Sequence, residues 1–283
     1  MAVFTNQATL TYNGNVINSN IVSGEITEVL SANKTAVIET YSDGSFLTYV
    51  VNIVNSGATA FTGLTITDDL GTYTFGALNP TPLTYIPSTV KYYINGTLQA
   101  TPVVNAGPPL VISGINVPAG GTATVIYGAQ VNDYAPLEVG STIENTAVIS
   151  GGGAADITVN ETVTVISAAD LAITKSISPA TVNENGTVTY TFVIENSGNT
   201  PVVATDTVVI ADTFDPALSG ITVTFNGVTW TEGVNYTYNE TTGLFETALG
   251  QVTVPAATYT QDAATGVWTT ESGASILTIT GTI

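Results

Sequence analysis

The chain has no cysteine, no histidine and no arginine. Without cysteine there is no disulfide and no thiolate chemistry. Without histidine and cysteine the usual nucleophile–base pairs are missing. Three lysines face 22 acids, for a net charge of −19. Nucleic-acid binding needs a basic footprint that is absent, and an anionic membrane surface would repel such a chain. The acidity reads as solubility outside a cell or on its surface. No run is apolar enough to span a bilayer. The opening MAVFTNQATL has no basic region, apolar core or cleavage site, so no signal peptide is expected in this chain. Also missing are a G-x-S-x-G elbow, a phosphate loop and a calcium loop of EF-hand spacing. Asp68 and Asp69 are neighbours whose side chains point apart, so they make no glycosidase pair. No enzyme turnover, cofactor or metal site is expected.

What the chain does have is Thr, Val, Asn and Gly in alternating patterns, and no amphipathic helix. That favours β structure. Two stretches repeat: YVVNIVNSG (49–57) matches YTFVIENSG (190–198). Lys34 then aligns with Lys175 and Tyr49 with Tyr190, each at an interval of 141 residues. LTITDDL (64–70) matches VVIADTF (208–214), and YYINGT (92–97) matches VTFNGV (223–228), each of the latter with an Asn-Gly hairpin turn. GTATVIYGAQV (121–131) matches GASILTITGTI (273–283). Short strands with frequent turn signals, present twice, predict an all-β chain of two tandem β-sandwiches.

The first copy continues past residue 131 into STIENTAVISGGGAADITVNETVTVI, ending near Ile166, and the second copy has no equivalent. The first residues of the chain resemble the missing part. FTNQATLT (4–11) aligns with IENTAVIS (143–150), which puts Asn6 on Asn145 and Ala8 on Ala147. The expected organisation is a donor β-hairpin over 1–28, a complete sandwich over 29–166 and an incomplete, acceptor sandwich over 167–283. An open edge and an uncovered core invite a strand from elsewhere. A hairpin tethered to the far domain fits the gap in another copy, and such a head-to-tail contact need not close, so it makes a filament. The alternatives are a chain cut at an odd boundary and a hairpin folded back on its own chain.

Period-2 counting exposes polar residues on apolar faces. Lys34 shares a face with Leu30, Ala32, Ala36 and Ile38, and Lys175 with Leu171, Ile173 and Ile177. Lys91 lies on the polar side of its strand and is read as solvated. Asp68 faces inward with Leu64, Ile66 and Leu70, and Asp212 with Val208, Ile210 and Phe214. Asn145 lies with Ile143, Ala147 and Ile149, and Asn6 with Phe4, Ala8 and Leu10. A lone buried lysine tends to lose its proton and a lone buried aspartate to gain one. A neutral amine beside a protonated carboxyl and a carboxamide can displace ammonia and leave an isopeptide bond. The other reading of the same residues is a buried Lys–Asp ion pair hydrogen-bonded to Asn, with no covalent bond.

The order of a lysine on the first strand, an N-S-G turn, an inward T-D or A-D step and a final N-T-A strand resembles a β-sandwich repeat of bacterial surface proteins, catalogued as a domain of unknown function. It is also similar to the isopeptide-forming domains of Gram-positive fimbrial proteins and to the two-domain subunits of clostridial spore appendages. The likeness covers nearly the whole chain in two copies, on motifs that are individually short. It implies an immunoglobulin-like fold and a Lys–Asn bond aided by an acid. By position that is Lys34 with Asn145 inside the first sandwich, helped by Asp68. Lys175 with Asp212 would take Asn6 of a neighbouring subunit. It further implies a structural, self-assembling homopolymer on a cell or spore surface. Departures are the absence of a C-terminal sorting motif and the hairpin displaced to the front. A binding reading, an adhesive or stalk module, stands beside the structural one. Trp230, Tyr236, Tyr238 and Trp268 are its candidate glycan patch, although strand aromatics are more often core or cross-strand pairs.

Overall fold

A computed structural model describes residues 2–26 and 29–283. The boundary expected after residue 28 falls on residues outside that description. Every regular element among the described residues is a strand, so the all-β expectation is borne out.

The chain opens with four short strands, β1 (Ala2–Asn6), β2 (Thr9–Tyr12), β3 (Asn15–Asn18) and β4 (Val22–Ile26). They are the two arms of one antiparallel hairpin, β1 on β4 and β2 on β3. Asn13 and Gly14 turn it with φ of 47° and 82°, both positive as a type I′ turn demands. The pairing slips by one residue between Asn6↔Val22 and Thr9↔Asn18. Ser19 closes the slip, its hydroxyl accepting from the Ala8 amide at 2.9 Å. Among the described residues no strand of either sandwich pairs with this hairpin.

The first sandwich contains β5 (Leu30–Ala36), β6 (Thr40–Tyr41), β7 (Phe46–Asn55), β8 (Phe61–Asp68), β9 (Leu83–Tyr85), β10 (Lys91–Ile94), β11 (Thr97–Leu98), β12 (Val103–Asn105), β13 (Leu110–Val117), β14 (Thr122–Val131), β15 (Thr142–Gly151) and β16 (Ile157–Val165). One sheet runs β5-β7-β14-β10-β11 and the other β6-β16-β15-β8-β13-β12. These are immunoglobulin strands A-B-E-D against C-F-G, with β8 as C, β15 as F and β16 as G. The short β6 flanks G in parallel. Alternating residues such as Tyr49, Val51 and Ile53 on β7 and Ile112 on β13 meet in one core. Strand β5 ends at Ala36, so Ile38, expected on the inner face, is 55% exposed.

The second sandwich contains β17 (Leu171–Ser178), β18 (Thr187–Asn196), β19 (Ala211–Thr213), β20 (Ser219–Phe225), β21 (Val228–Thr229), β22 (Tyr236–Asn239), β23 (Leu244–Thr247), β24 (Thr258–Gln261), β25 (Trp268–Glu271) and β26 (Gly273–Thr282). The order β17-β18-β26-β20 repeats A-B-E-D. The opposing sheet is only β19-β23-β22. Strand C survives as three residues of the expected VVIADTF run; Val208–Ile210 lie outside it, although the Ile210 carbonyl still accepts from the Thr247 amide at 3.0 Å. Among the described residues nothing holds positions F and G.

The repeated N-S-G turns have a structural task in both copies. Asn55 is buried and its amide nitrogen donates to the Thr59 and Pro118 carbonyls at 2.8 and 2.9 Å, while Oδ1 accepts from the Gly57 amide at 2.9 Å. Asn196 repeats this on Thr200, Pro255 and Gly198 at 2.8, 3.1 and 3.0 Å. Each thereby fastens the end of strand B to the loop before strand E, satisfying backbone groups that no ladder reaches.

Candidate functional site

The first site spans the two sheets of the complete sandwich. Strand A brings Lys34, strand C brings Asp68 and strand F brings Asn145. Asp68 and Ala147 are paired across β8 and β15, which sets Asn145 two residues along the same inner face. Lys34 Nζ lies 2.7 Å from Asp68 Oδ2, with both side chains wholly buried. It also donates to the Asn145 backbone carbonyl at 2.8 Å. The Tyr49 ring sits under the ammonium, 4.9 Å from its centroid. Tyr127 donates its hydroxyl to Asp68 Oδ2 and accepts from Asn145 Nδ2, the latter at 3.4 Å. Asp68 Oδ1 accepts from the Leu70 amide at 3.0 Å. Two buried polar atoms here have no partner, Asn145 Oδ1 and the Tyr49 hydroxyl.

Electrostatics follow from that burial. Desolvation pulls the Lys34 amine below its ordinary value of 10.5, against the opposing attraction of Asp68. Burial pushes both Tyr49 and Tyr127 upward, so both hydroxyls keep their protons. The folded chain therefore binds fewer protons at Lys34 than the unfolded chain, between the lowered value and 10.5. In that window stability rises with pH. With Asn145→Ala, which leaves the amine free, melting temperature should climb as pH approaches 10.5, relative to the same chain carrying Lys34→Met. Parallel profiles for the two variants would show that the lysine carries no such penalty.

The second site is built from the same strands without F and G. Lys175 and Asp212 form an ion pair, with their side chains 39% and 18% exposed. Tyr190, Phe192 and Phe214 surround the ammonium at 4.7–5.4 Å. Lys175 lies on the inward face that its parity gives, and among the described residues no strand covers it. The same absence strips the whole inner face of strand A. Leu30, Ala32 and Ala36 pack on the first core, whereas their equivalents Leu171, Ile173 and Ile177 are 41%, 55% and 42% exposed. In the first sandwich G packs over strand A, and that contact is what the second sandwich lacks.

Asn6 lies on the free hairpin, exposed and in neither site. Its face also carries Phe4, Leu10, Ile17 and Val22, every one more than half exposed. The Phe4 ring covers Gly24 on the opposite arm, so close that a Cβ on Gly24 would stand 2.4 Å from it. Lys91 is exposed, as expected.

The aromatic patch does not assemble. Trp230 stacks on Phe225, Tyr236 is buried and the Tyr238 hydroxyl bridges the Leu218 backbone. Trp268 donates to the Tyr73 hydroxyl at 3.2 Å and to the Asp133 carbonyl through its backbone at 2.8 Å, tying β25 to the first sandwich. Sequence reasoning missed Tyr127 and Tyr49. The aligned repeat held the signal, because Tyr127 stands opposite Tyr49 whereas Ile279 stands opposite Tyr190. Among the described residues no cluster of acids could hold a metal ion, and no helix is long and apolar enough to cross a membrane.

No protein-family model and no curated protein matches the chain. Among solved structures it is similar to BcpA, the major pilin subunit of Bacillus cereus, at 13% identity and TM-score 0.36, covering 95% of this chain and 73% of that one. It is similar to the RrgB pilus backbone of Streptococcus pneumoniae at 10% identity and TM-score 0.35, covering 86% of this chain and 55% of that one. It is also similar to the collagen-binding domain of a Staphylococcus aureus adhesin at 13% identity and TM-score 0.32, covering 50% of this chain and 99% of that domain.

Proposed function

We propose that the chain is a structural subunit of a bacterial surface or spore filament, polymerised head to tail. The hairpin of one copy supplies strands F and G to the second sandwich of the next. The observation that carries this is the match between two incomplete objects. One is a sandwich with A-B-E-D and C but no F-G, and the other is an F-G-like hairpin with an exposed apolar face. Joining them buries Leu171, Ile173 and Ile177 with Phe4, Leu10, Ile17 and Val22, each such side chain contributing ~1.5–3 kcal/mol before association costs. New ladder hydrogen bonds along β19 add orientation.

In this reading Lys34 and Asn145 react within the first sandwich, with Asp68 as the helper. Lys175 reacts with Asn6 of the next copy, with Asp212 as the helper. Each amine nitrogen attacks Cγ of the asparagine, the Cγ–Nδ2 bond breaks and ammonia leaves. The reaction happens once per site, so it is maturation and not turnover. The amine held by Asp68 and by the Asn145 backbone carbonyl, in the same core where the Asn145 amide meets Tyr127, supports the internal bond. The alignment of Asn6 with Asn145 supports the intermolecular one.

Removing residues 1–28 tests the assembly. The shortened chain should remain monomeric at concentrations where the full chain forms fibres by electron microscopy. Synthetic 1–28 peptide should occupy its groove and then block uptake of full-length hairpins. Fibres from the shortened chain would sink the proposal. So would a full chain that stays monomeric yet binds a surface ligand through its loops, which is the adhesin outcome.

A further inference from the structure

Amine, acid and carboxamide are three of the four polar groups that meet in the first core, and Tyr127 is the fourth. Its ring is wholly buried on β14 and stacks on Tyr49 at 5.5 Å. Its hydroxyl donates to Asp68 Oδ2, the same oxygen that holds Lys34 Nζ at 2.7 Å. It accepts from Asn145 Nδ2 at 3.4 Å. A continuous path therefore runs from the attacking nitrogen through Asp68 and Tyr127 to the nitrogen that must leave.

The geometry points to Tyr127 as the proton relay of isopeptide formation, delivering to the departing nitrogen the proton that the attacking amine gives up. This rests on the isopeptide reading of the first site. An amide nitrogen departs poorly unless protonated, and separated charges are costly in a buried site. The proton must then travel along hydrogen bonds already in place. Lys34 first gives one proton to Asp68, leaving a neutral amine and a carboxylic acid. The amine attacks Cγ, and the carbonyl electron pair moves to Oδ1. Tyr127 gives its hydroxyl proton to Nδ2 and takes the Asp68 proton in return. Asp68 recovers a proton from Nζ, now bonded to Cγ. The carbonyl re-forms, the Cγ–Nδ2 bond breaks and ammonia departs. Tyr127 ends as it began and Asp68 ends as the acid formed in the first step, so Nζ gives up two protons, one leaving on Nδ2 as ammonia and one held by Asp68. Burial favours the neutral hydroxyl, which suits a group that donates and accepts in one motion without ionising.

The second site has Ile279 where the first has Tyr127, each opposite the equivalent tyrosine of strand B. A relay of this kind is therefore confined to the first sandwich.

The test uses the full chain with Asn6→Ala, so that only the first site can react. Intact mass is followed after a pulse of synthesis. The reference chain should lose ~17 Da as one ammonia. Adding Tyr127→Phe should slow that loss at least tenfold while protease resistance is retained, since positioned proton transfer contributes ~10²–10⁴ in rate. Loss at the reference rate overturns the relay. A fluorotyrosine placed at 127 keeps the ring and the donor but changes its acidity. A relay shifts the rate, whereas an unchanged rate would show that the ring only packs, and overturns it even where Tyr127→Phe folds poorly. A reference chain that keeps its full mass removes the isopeptide reading itself, and the relay falls with it.

Discussion

Boiling the assembled protein in detergent should leave a ladder of subunit multiples, each bond lighter than the simple sum by one ammonia, ~17 Da. The argument starts from the difference between the two lysines. Lys34 is closed in by strands F and G of its own chain, so a bond formed there would staple one sandwich and add no mass of a neighbour. Lys175 lies against β19 and is 39% exposed, because the space over strand A is open. Only a hairpin seated there brings a carboxamide to it, and the aligned one is Asn6. Replacing Asn6 with Ala should therefore abolish the ladder while leaving one ammonia loss per monomer. Replacing Asn145 with Ala should keep the ladder and remove the internal loss. Monomers lighter by a single ammonia, with no multiples, would confine the chemistry to the first sandwich. Monomers at the full sequence mass would remove the covalent claim and leave donation of the hairpin as a non-covalent idea for microscopy.

Asp68→Ala should be the most destabilising acid replacement in the chain, costing about 3–5 kcal/mol, and Asp212→Ala should cost about 0–1 kcal/mol in the free subunit. Both acids pair with a lysine at equivalent positions, so chemistry alone would rank them together. Burial separates them. Lys34 without Asp68 has no exposed side-chain surface and only a backbone carbonyl and a ring beside it, so it must either hold a buried charge or give up its proton. Lys175 without Asp212 still reaches water. Denaturant unfolding, followed separately for the two sandwiches, measures both. Equal costs would mean that the second site is closed in solution. In the assembled filament the order should change, with Asp212→Ala becoming costly once a donated hairpin buries Lys175.

Much of this was readable from the repeat. The two copies align at Lys34 and Lys175, at Tyr49 and Tyr190, and at two Asn-Gly turns. Those turns form as read, with positive φ at Asn95 and Gly96 and at Asn226 and Gly227. Period-2 alternation gave the inward face of β8 and of β15, because a strand with one buried side has only two registers and they differ for every residue. Less was readable where a strand is cut short. Ile38 has the right parity, but the strand has ended, and parity means nothing outside a ladder. Val208 and Ile210 stand outside any strand, although the run they belong to reads as one throughout and forms only the three residues of β19. The four aromatics were ambiguous by type, and their neighbours Phe225, Leu218 and Tyr73 decided that they pack.

By itself the sequence determined the all-β class, the doubling of the sandwich and the short list of lysines, acids and asparagines that share a face with apolar neighbours. These are local properties, carried by alternation, turn residues and self-similarity along the chain. Only the tertiary structure decided that Lys34 is closed in while Lys175 is not, and that Tyr127 joins Asp68 to Asn145. Burial and hydrogen bonding depend on which strands lie across the sandwich, a distance of more than a hundred residues from Lys34 to Asn145. Such contacts are set by the meeting of whole sheets, and no single strand's pattern encodes them.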